Sequence, residues 1–229
     1  MALYHDFLVE DREFTSYDDL KKNCRLKAPE NFNFAYDIVD RYARETPEKR
    51  ALVWCDDSGD EKIFSFADIS ADSKRTAYFL AAQGIRKGDA VMLILRRRYE
   101  FWWFMMALHR IGAIAVPATD QLLEKDIEYR NKAAEIKMIV SYDNPSIQSE
   151  IEKALPNSPS VKKLVTVGKA RDGWVNFHDE VSGCAPEFPR PVGDAATHND
   201  DPMLLYFTSG TSGYPKMVLH NFLYPIGHI

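Results

Sequence analysis

The chain has 229 residues, of which 45% are hydrophobic, so it can bury the core of one large domain or of two small ones. Its formal net charge is −5, with 29 Lys and Arg against 34 Asp and Glu. This balance, together with the lack of a basic stripe, argues against a nucleic-acid partner.

Neither a secretion signal nor a membrane span is predicted. Residues 1–10 contain acidic residues and no apolar stretch with a cleavage site. The most apolar segment, 101–108, is much shorter than the roughly 20 residues that cross a bilayer. The three cysteines have no metal-like or disulfide-like spacing, which favours buried or partly buried free thiols in a reducing compartment; they are Cys24, Cys55 and Cys184. We therefore expect a soluble, cytoplasmic protein.

The first third of the chain predicts an arm, a helix, a hairpin and a second helix. Residues 1–30 are polar and mixed in charge, as in an N-terminal arm. An i, i+4 apolar pattern predicts an amphipathic helix over 34–45. Strand-like segments 51–55 and 62–66 flank a turn and predict a hairpin. Ser65 and Asp68 form a capping box for the next helix. The residues that this helix is expected to bury are Phe66, Ile69, Ala77, Leu80 and Ala81.

From residue 90 onward, strands and helices alternate. The run 90–95 is continuously apolar, which is typical of a central parallel strand. Helices are predicted over 99–111, 124–134 and 146–155, and strands over 113–116, 137–141 and 163–167. Strict alternation predicts βαβ units, and therefore an α/β fold with a mostly parallel sheet flanked by helices.

The alternation stops at 183–202, where prolines stand among Gly, Asp and Asn. A segment of this kind predicts a long loop and a boundary between subdomains. An apolar strand over 203–207 follows it. We therefore expect an arm (1–30), an α/β subdomain (31–182), a loop linker (183–202) and the start of a second subdomain (203–229).

The loop that follows this last strand is the most informative part of the sequence. It reads Thr-Ser-Gly-Thr-Ser-Gly-Tyr-Pro-Lys. Hydroxyl groups and glycine N–H groups donate hydrogen bonds without bulk, and successive N–H groups can form a nest for an anion. The lysine adds a full positive charge, so the loop suits a polyphosphate. The candidate ligands are Thr208, Ser209, Gly210, Thr211, Ser212, Gly213 and Lys216.

The loop departs from the common Walker pattern, G-x-x-x-x-G-K-[ST]. Pro215 stands where that pattern needs Gly, and Met217 stands where it needs Ser or Thr. Because a residue before proline favours extended geometry, we expect the chain not to pass from Tyr214 straight into a phosphate-capping helix. The departures argue against a Walker-type NTPase. By composition alone, a mobile Ser/Gly surface loop is an equal alternative.

The string over 208–216 resembles the phosphate-loop signature of the adenylate-forming enzymes, and this order of residues speaks against the surface-loop alternative. Residues 32–143 are similar to AMP-forming acyl-CoA synthetases of the short- and medium-chain type. The similarity rests on Phe-Asn-Phe-Ala (32–35), Thr-Pro-Glu-Lys-Arg-Ala-Leu (46–52), Gly-Ile-Arg-Lys-Gly-Asp (84–89), Arg-Ile-Gly-Ala-Ile-Ala-Val-Pro (110–117) and Asp-Ile-Glu-Tyr-Arg (126–130).

This resemblance implies the layered αβαβα N-terminal domain of these enzymes and their two-step reaction. A carboxylate attacks the α-phosphate of MgATP, pyrophosphate leaves, and CoA then converts the acyl-AMP to a thioester. The resemblance implies that the seven loop residues hold the β- and γ-phosphates, and that ATP, Mg²⁺ and CoA are used.

In the family, the adenine, ribose and magnesium sites, most of the acyl pocket and the catalytic lysine lie downstream of this loop. We therefore expect an inactive N-terminal fragment of a ligase, with no catalytic residue and no metal ligand of its own. The alternative is a noncatalytic nucleotide- or phosphate-binding module. The full reading frame would distinguish the two.

Arg130 and the run of arginines at 96–98 each have two interpretations. Arg130 is a candidate contact to CoA, because its segment in related synthetases lies near the nucleotide end of CoA. The alternative for Arg130 is a helix ion pair with Asp126. Residues 96–98 are three arginines, which we interpret as a solvated strand end. The alternative for this run is a contact to a CoA phosphate or to another chain segment.

Histidines and tryptophans carry less information. The six histidines show no metal-like spacing. We interpret His109 as a partner for the C-terminus of its helix and His220 as structural. We expect Trp102 and Trp103 to lie in the core.

Overall fold

The computed structural model describes residues 3–209 and 213–228. Gly210, Thr211 and Ser212 of the predicted phosphate loop lie outside the described residues. The helices are α1 (Tyr17–Asn23), α2 (Asp40–Glu45), α3 (Phe66–Ala82), α4 (Glu100–Ile111), α5 (Glu124–Ala133), α6 (Pro145–Ala154) and α7 (Phe177–Val181), with a π-helical turn Ala35–Val39 leading into α2. The strands are β1 (Arg50–Cys55), β2 (Glu61–Ser65), β3 (Ala90–Ile94), β4 (Ile114–Pro117), β5 (Met138–Tyr142), β6 (Lys163–Val167), β7 (Val175–Asn176), β8 (Pro202–Thr208) and β9 (Lys216–Asn221).

Seven strands form one sheet, in the order β7-β6-β5-β3-β4-β8-β9. Every neighbouring pair is parallel except β8 and β9, which are antiparallel. The predicted α/β fold with a mostly parallel sheet is confirmed. Strand β8 is hydrogen-bonded to β4 within this sheet, and the division of the chain into the four units above stays a prediction.

The sheet order places a crevice beside β3. The chain moves from β3 to β4 on one side and then crosses back to β5 on the other. Ligands of open α/β sheets bind outside the carboxyl ends of the strands at such a switch point. Because β8 is parallel to β4, the loop that follows β8 leaves the sheet at this same carboxyl edge.

Both faces of the sheet are covered by helices, as the all-apolar sequence of β3 requires. Val91 and Leu93 point into the cluster that contains the buried faces of α3 and α4. Met92 and Ile94 point into the opposite cluster, which α5 and α6 cover. This alternation follows from the two-residue period of a strand. Helix α5 covers the face on which the chain returns after the loop that follows β8.

The predicted local signals near the start of the sheet domain are largely present. Strands β1 and β2 pair as an antiparallel hairpin. Ser65 and Asp68 form both hydrogen bonds of the capping box at α3. Gly112 ends α4 in the left-handed conformation, at φ 80°, which glycine adopts without strain.

Three residues expected to be buried are exposed. Trp102 is 47% exposed. The prediction was wrong because α4 is apolar nearly all round, so its periodicity does not identify the face that meets the sheet. Cys55 ends β1 at the turn of the hairpin, which forms a two-stranded sheet among the residues that the structure describes. Ala81 lies in the last turn of α3 and faces solvent. Trp103 is partly buried and packs against the core, as predicted.

An ion pair is buried where α2, α3 and α4 meet. Arg110 has no exposed side-chain area, and its Nη1 and Nη2 donate to Asp40 Oδ2 and Oδ1 at 2.8 and 2.7 Å. Its Nε donates to Ser73 Oγ, and Ser70 Oγ donates to Asp40. Burial raises the pKa of Asp40, but the hydrogen bonds and charge of Arg110 outweigh burial and lower this pKa below its ordinary 3.8.

Strand β9 ends the sheet in the part of the chain that the structure describes. Met217, Val218 and Leu219 are all exposed. Since neighbouring residues of a strand point to opposite faces, β9 presents apolar side chains on both faces. Across residues 3–209 and 213–228, the longest apolar helix still falls short of what crossing a membrane requires.

Candidate phosphate-binding site

The predicted phosphate loop joins β8 to β9 as the turn of an antiparallel hairpin. Thr208 and Lys216 are cross-strand partners at its base. Thr208 Oγ1 donates to the Lys216 carbonyl at 3.4 Å, so the two stems of the loop are held together. A strand, not a helix, follows the loop, which confirms the expectation drawn from Pro215.

The described candidate ligands are open to solvent. Thr208, Ser209, Gly213 and Lys216 are all exposed. Gly213 has φ +91°, and a Cβ at this position would meet no atom within 4 Å. The backbone conformation, and not crowding, therefore explains glycine here. An anion can reach these donors without rearrangement of the described residues.

Helix α5 lies against both stems of the loop through Tyr129. Its hydroxyl donates to the Pro215 carbonyl at 3.0 Å. Its ring stacks on Tyr214, with centroids 4.6 Å apart and 18° between planes. The same ring meets Phe207 of β8 edge-on at 6.0 Å. A groove of about 1100 Å³ runs between α5 and residues 213–215. Sequence reasoning missed Tyr129, because these contacts join segments that are far apart along the chain.

Arg130 does not form the ion pair with the Asp126 carboxylate that was the alternative to a CoA contact. Its Nη1 donates to the Asp126 backbone carbonyl at 2.9 Å, and its guanidinium lies 5.1 Å from the ring centre of Phe207. The Asp126 carboxylate instead accepts from the Leu123 N–H as a helix cap. Burial lowers the pKa of Arg130. The assignment of Arg130 to CoA stays a prediction.

The structure favours one interpretation for two of the three arginines after β3 and the other interpretation for the third. Arg96 and Arg97 are exposed, as at a solvated strand end. Arg98 contacts another chain segment, since its Nη2 lies 2.6 Å from Asp143 Oδ1 beyond β5. Burial raises the pKa of Asp143, and the Lys169 N–H with the charge of Arg98 lowers it more. This pair ties the carboxyl ends of β3 and β5 beside the switch point.

His109 is not the predicted partner of its helix terminus. Its ring is buried, and neither ring nitrogen has a hydrogen-bond partner among the described residues. The side chain of Asn33 instead satisfies the His109 carbonyl, at 2.7 Å. Burial lowers the pKa of His109 to about 4, so the ring is neutral at pH 7. In the described ranges, no group of three or more His, Cys, Asp or Glu side chains is placed to hold a metal ion.

A mostly parallel α/β sheet whose carboxyl edge is followed by a loop sequence of hydroxyls, glycines and one lysine is an arrangement typical of nucleotide-binding α/β proteins. The sequence pattern of the AMP-binding enzyme family matches residues 39–225, and the chain belongs to this family. The predicted family is thereby confirmed.

Among relatives, the chain is 34% identical over 200 residues to "Acyl-coenzyme A synthetase ACSM5, mitochondrial" of Rattus norvegicus. It is 35% identical over 205 residues to "Acyl-coenzyme A synthetase ACSM4, mitochondrial" of Mus musculus. These alignments cover 84% and 86% of this chain but 34% of each relative. The chain therefore spans about a third of the length of the curated relatives it matches.

Two solved structures share the fold. An anthranilate CoA ligase, AuaEII, in complex with anthranoyl-AMP superposes with a TM-score of 0.73 at 22% identity, over 85% of this chain and 36% of that chain. An acyl-CoA synthetase of Brucella canis gives a TM-score of 0.73 at 24% identity, over 86% of this chain and 34% of that chain.

Proposed function

We propose that this chain is the N-terminal part of an AMP-forming acyl-CoA synthetase. The parent enzyme activates a short- or medium-chain carboxylate with MgATP to an acyl-AMP and transfers the acyl group to CoA. The observation that carries the proposal is the hydroxyl-, glycine- and lysine-bearing turn between β8 and β9, at the carboxyl edge of the sheet.

In the first step, a carboxylate oxygen attacks the α-phosphorus and the bond to the β-phosphate breaks. Negative charge then develops on the departing pyrophosphate. The loop side chains and N–H groups donate to the β- and γ-phosphate oxygens, and Lys216 supplies a cation beside them. Preorganised donors of this kind stabilise charge without solvent reorganisation. The proposed donors are Thr208, Ser209, Gly210, Thr211, Ser212, Gly213 and Lys216.

In the second step, the CoA thiol attacks the acyl carbon and AMP leaves. The proposal keeps Arg130 as a contact to CoA from α5. Magnesium enters with ATP as the MgATP complex. No described residue of this chain is proposed as a magnesium ligand or as a catalytic residue.

The names of the relatives support this reaction over the alternative of a noncatalytic phosphate-binding module. The curated relatives named above are acyl-coenzyme A synthetases. One structural neighbour is a CoA ligase that holds an acyl-AMP. The same relatives are named as mitochondrial, so the cytoplasmic location stays a prediction, which fractionation of cells that express the parent protein would test.

The test is an assay of the full-length protein with ATP, CoA and straight-chain acids from acetate to decanoate. We expect AMP, pyrophosphate and acyl-CoA in equal amounts for part of this series. ADP as the product, or turnover that does not need CoA, would refute the proposal. The 229-residue chain alone is expected to give pyrophosphate exchange at background, and robust exchange would show that this third of the enzyme is catalytically sufficient.

A further inference from the structure

Tyr129 of α5 contacts the chain both before and after the phosphate loop. Phe207 is the last residue before Thr208, and Tyr214 and Pro215 immediately precede Lys216. We propose that Tyr129 is a positioning residue of the phosphate loop, which sets the direction of Lys216 before ATP binds. This inference rests on the proposed function.

We call the contacts of Tyr129 with Phe207, Tyr214 and Pro215 the clamp, and the helix that carries Tyr129 is anchored in the core. Ile127 anchors α5 in the core, where it is fully buried. Arg130, the next residue after Tyr129, is held by the Asp126 carbonyl and by the face of Phe207. The backbone of Tyr129 is therefore held by α5, and Phe207 contacts one side of its ring. Tyr214, in contrast, is 72% exposed, and its ring stacks on that of Tyr129.

The hydroxyl of Tyr129 restrains the backbone immediately before Lys216. Proline has no N–H, so the Pro215 carbonyl is the only backbone hydrogen-bonding group of that residue. The bond from Tyr129 fixes this carbonyl, and the peptide that contains it leads directly to Lys216. A loop held in its binding conformation loses less conformational entropy when the phosphates bind. The clamp should therefore strengthen ATP binding without touching ATP.

Tyr129→Phe in the full-length protein tests the hydrogen bond alone, since it keeps the ring and its stack. We expect the KM for MgATP to rise roughly two- to tenfold, as befits one neutral hydrogen bond. Tyr129→Leu also removes the stack, which adds a further contribution of similar size. Its KM for MgATP should rise roughly ten- to a hundredfold. In both variants, the KM values for the carboxylate and for CoA should stay at the wild-type values.

The two half-reactions separate positioning from general damage to the fold. Pyrophosphate leaves in the first step, so both variants should slow acyl-AMP formation and leave CoA transfer from preformed acyl-AMP unchanged. Equal slowing of both steps would overturn the inference, and so would a wild-type KM for MgATP in Tyr129→Leu. If Tyr129→Leu does not fold, Tyr129→Phe carries the test, with its thermal midpoint as the check.

Two further variants sharpen the result. Tyr78→Phe removes the hydroxyl of an exposed tyrosine on α3 and should match the wild type in every readout. Tyr214→Leu removes the other half of the stack. The double variant with Tyr129→Leu should therefore have a KM for MgATP little higher than that of Tyr129→Leu alone. Additive penalties would mean that the two rings act independently and would contradict the clamp.

Failure of this inference is distinguishable from failure of the proposed function. A wild-type enzyme that makes acyl-CoA, with Tyr129 variants that do not differ in MgATP dependence, overturns the clamp alone. If the wild type makes no acyl-CoA, calorimetric binding of MgATP to the same proteins still tests the clamp. Weaker binding by Tyr129→Leu than by Tyr78→Phe supports the inference, and equal binding overturns it.

Discussion

Replacing Arg110 with Met should destabilise the protein by about 3–5 kcal/mol, because it leaves a buried carboxylate without its cation. Asp40 is 7% exposed and would keep only the Ser70 hydroxyl and Lys74, whose Nζ lies 3.6 Å from Oδ1. Two charge-assisted hydrogen bonds at 2.7 and 2.8 Å would be lost. Methionine fills most of the volume, so the loss is chiefly electrostatic.

The assay is urea-induced unfolding of the purified protein, followed by tryptophan fluorescence. Lys153→Met is the control, because Lys153 is exposed on α6 and its surface ion pair with Glu150 should contribute little to stability. The double variant Arg110→Met with Asp40→Leu should recover much of the loss. An Arg110→Met variant as stable as Lys153→Met would refute the reasoning.

The same pair predicts a pH dependence. The folded pKa of Asp40 lies below its ordinary 3.8, so ionised Asp40 contributes stability above that value. This contribution is lost as the pH falls through the folded pKa. The difference in unfolding free energy between wild type and Arg110→Met should therefore be largest near neutral pH and should shrink below pH 4. A difference that grows on acidification would contradict this assignment.

Three further predictions concern the phosphate loop, the buried His109 and the turn that follows β6. Lys216→Ala should slow acyl-AMP formation at least tenfold, because it removes a charged hydrogen bond of about 1.5–3 kcal/mol. CoA transfer from preformed acyl-AMP should keep its rate. Equal slowing of both steps would exclude a role of Lys216 in phosphate binding. His109→Leu should remove a loss of stability between pH 6.5 and about 4, because the unfolded imidazole takes up a proton at 6.5 and the folded one only near 4. Urea titrations at both pH values would show it, and parallel pH profiles would contradict it. Gly168→Ala should cost about 1–3 kcal/mol, because φ is +117° and a Cβ would lie 2.5 Å from Asp143 Cγ; a thermal midpoint at the wild-type value would argue against the contact.

Local sequence signals predicted most of the framework. Residues 90–95 carry their own evidence of burial on both faces, and β3 is indeed central. The Ser65–Asp68 capping box and Gly112 act within one turn of chain, so their effects are visible in the sequence. The order of residues over 208–216 predicts a phosphate loop for the same reason, since a short contiguous segment carries most of the proposed donors, and their role stays a prediction.

Features that depend on tertiary packing escaped prediction. The burial of His109 depends on Asn33 and Phe222, which come from distant parts of the chain. Strand β9 was missed because Met217–Leu219 is too short to show a period, and only pairing with β8 defines it. The contact between Tyr129 and Pro215 joins residues 86 positions apart, so no local pattern reports it.

The outer edge of β9 has a consequence for the strands that can join the sheet. In the described part of the chain no strand pairs with this edge, so its backbone groups, beside Met217, Val218 and Leu219, form a template onto which another strand of the parent protein or of a second copy can add. Lys216 is the first residue of that same strand. A strand that pairs with β9 therefore also stiffens the returning stem of the phosphate loop. If such pairing raises the affinity of the loop for phosphate, then bound phosphate favours the pairing by the same factor.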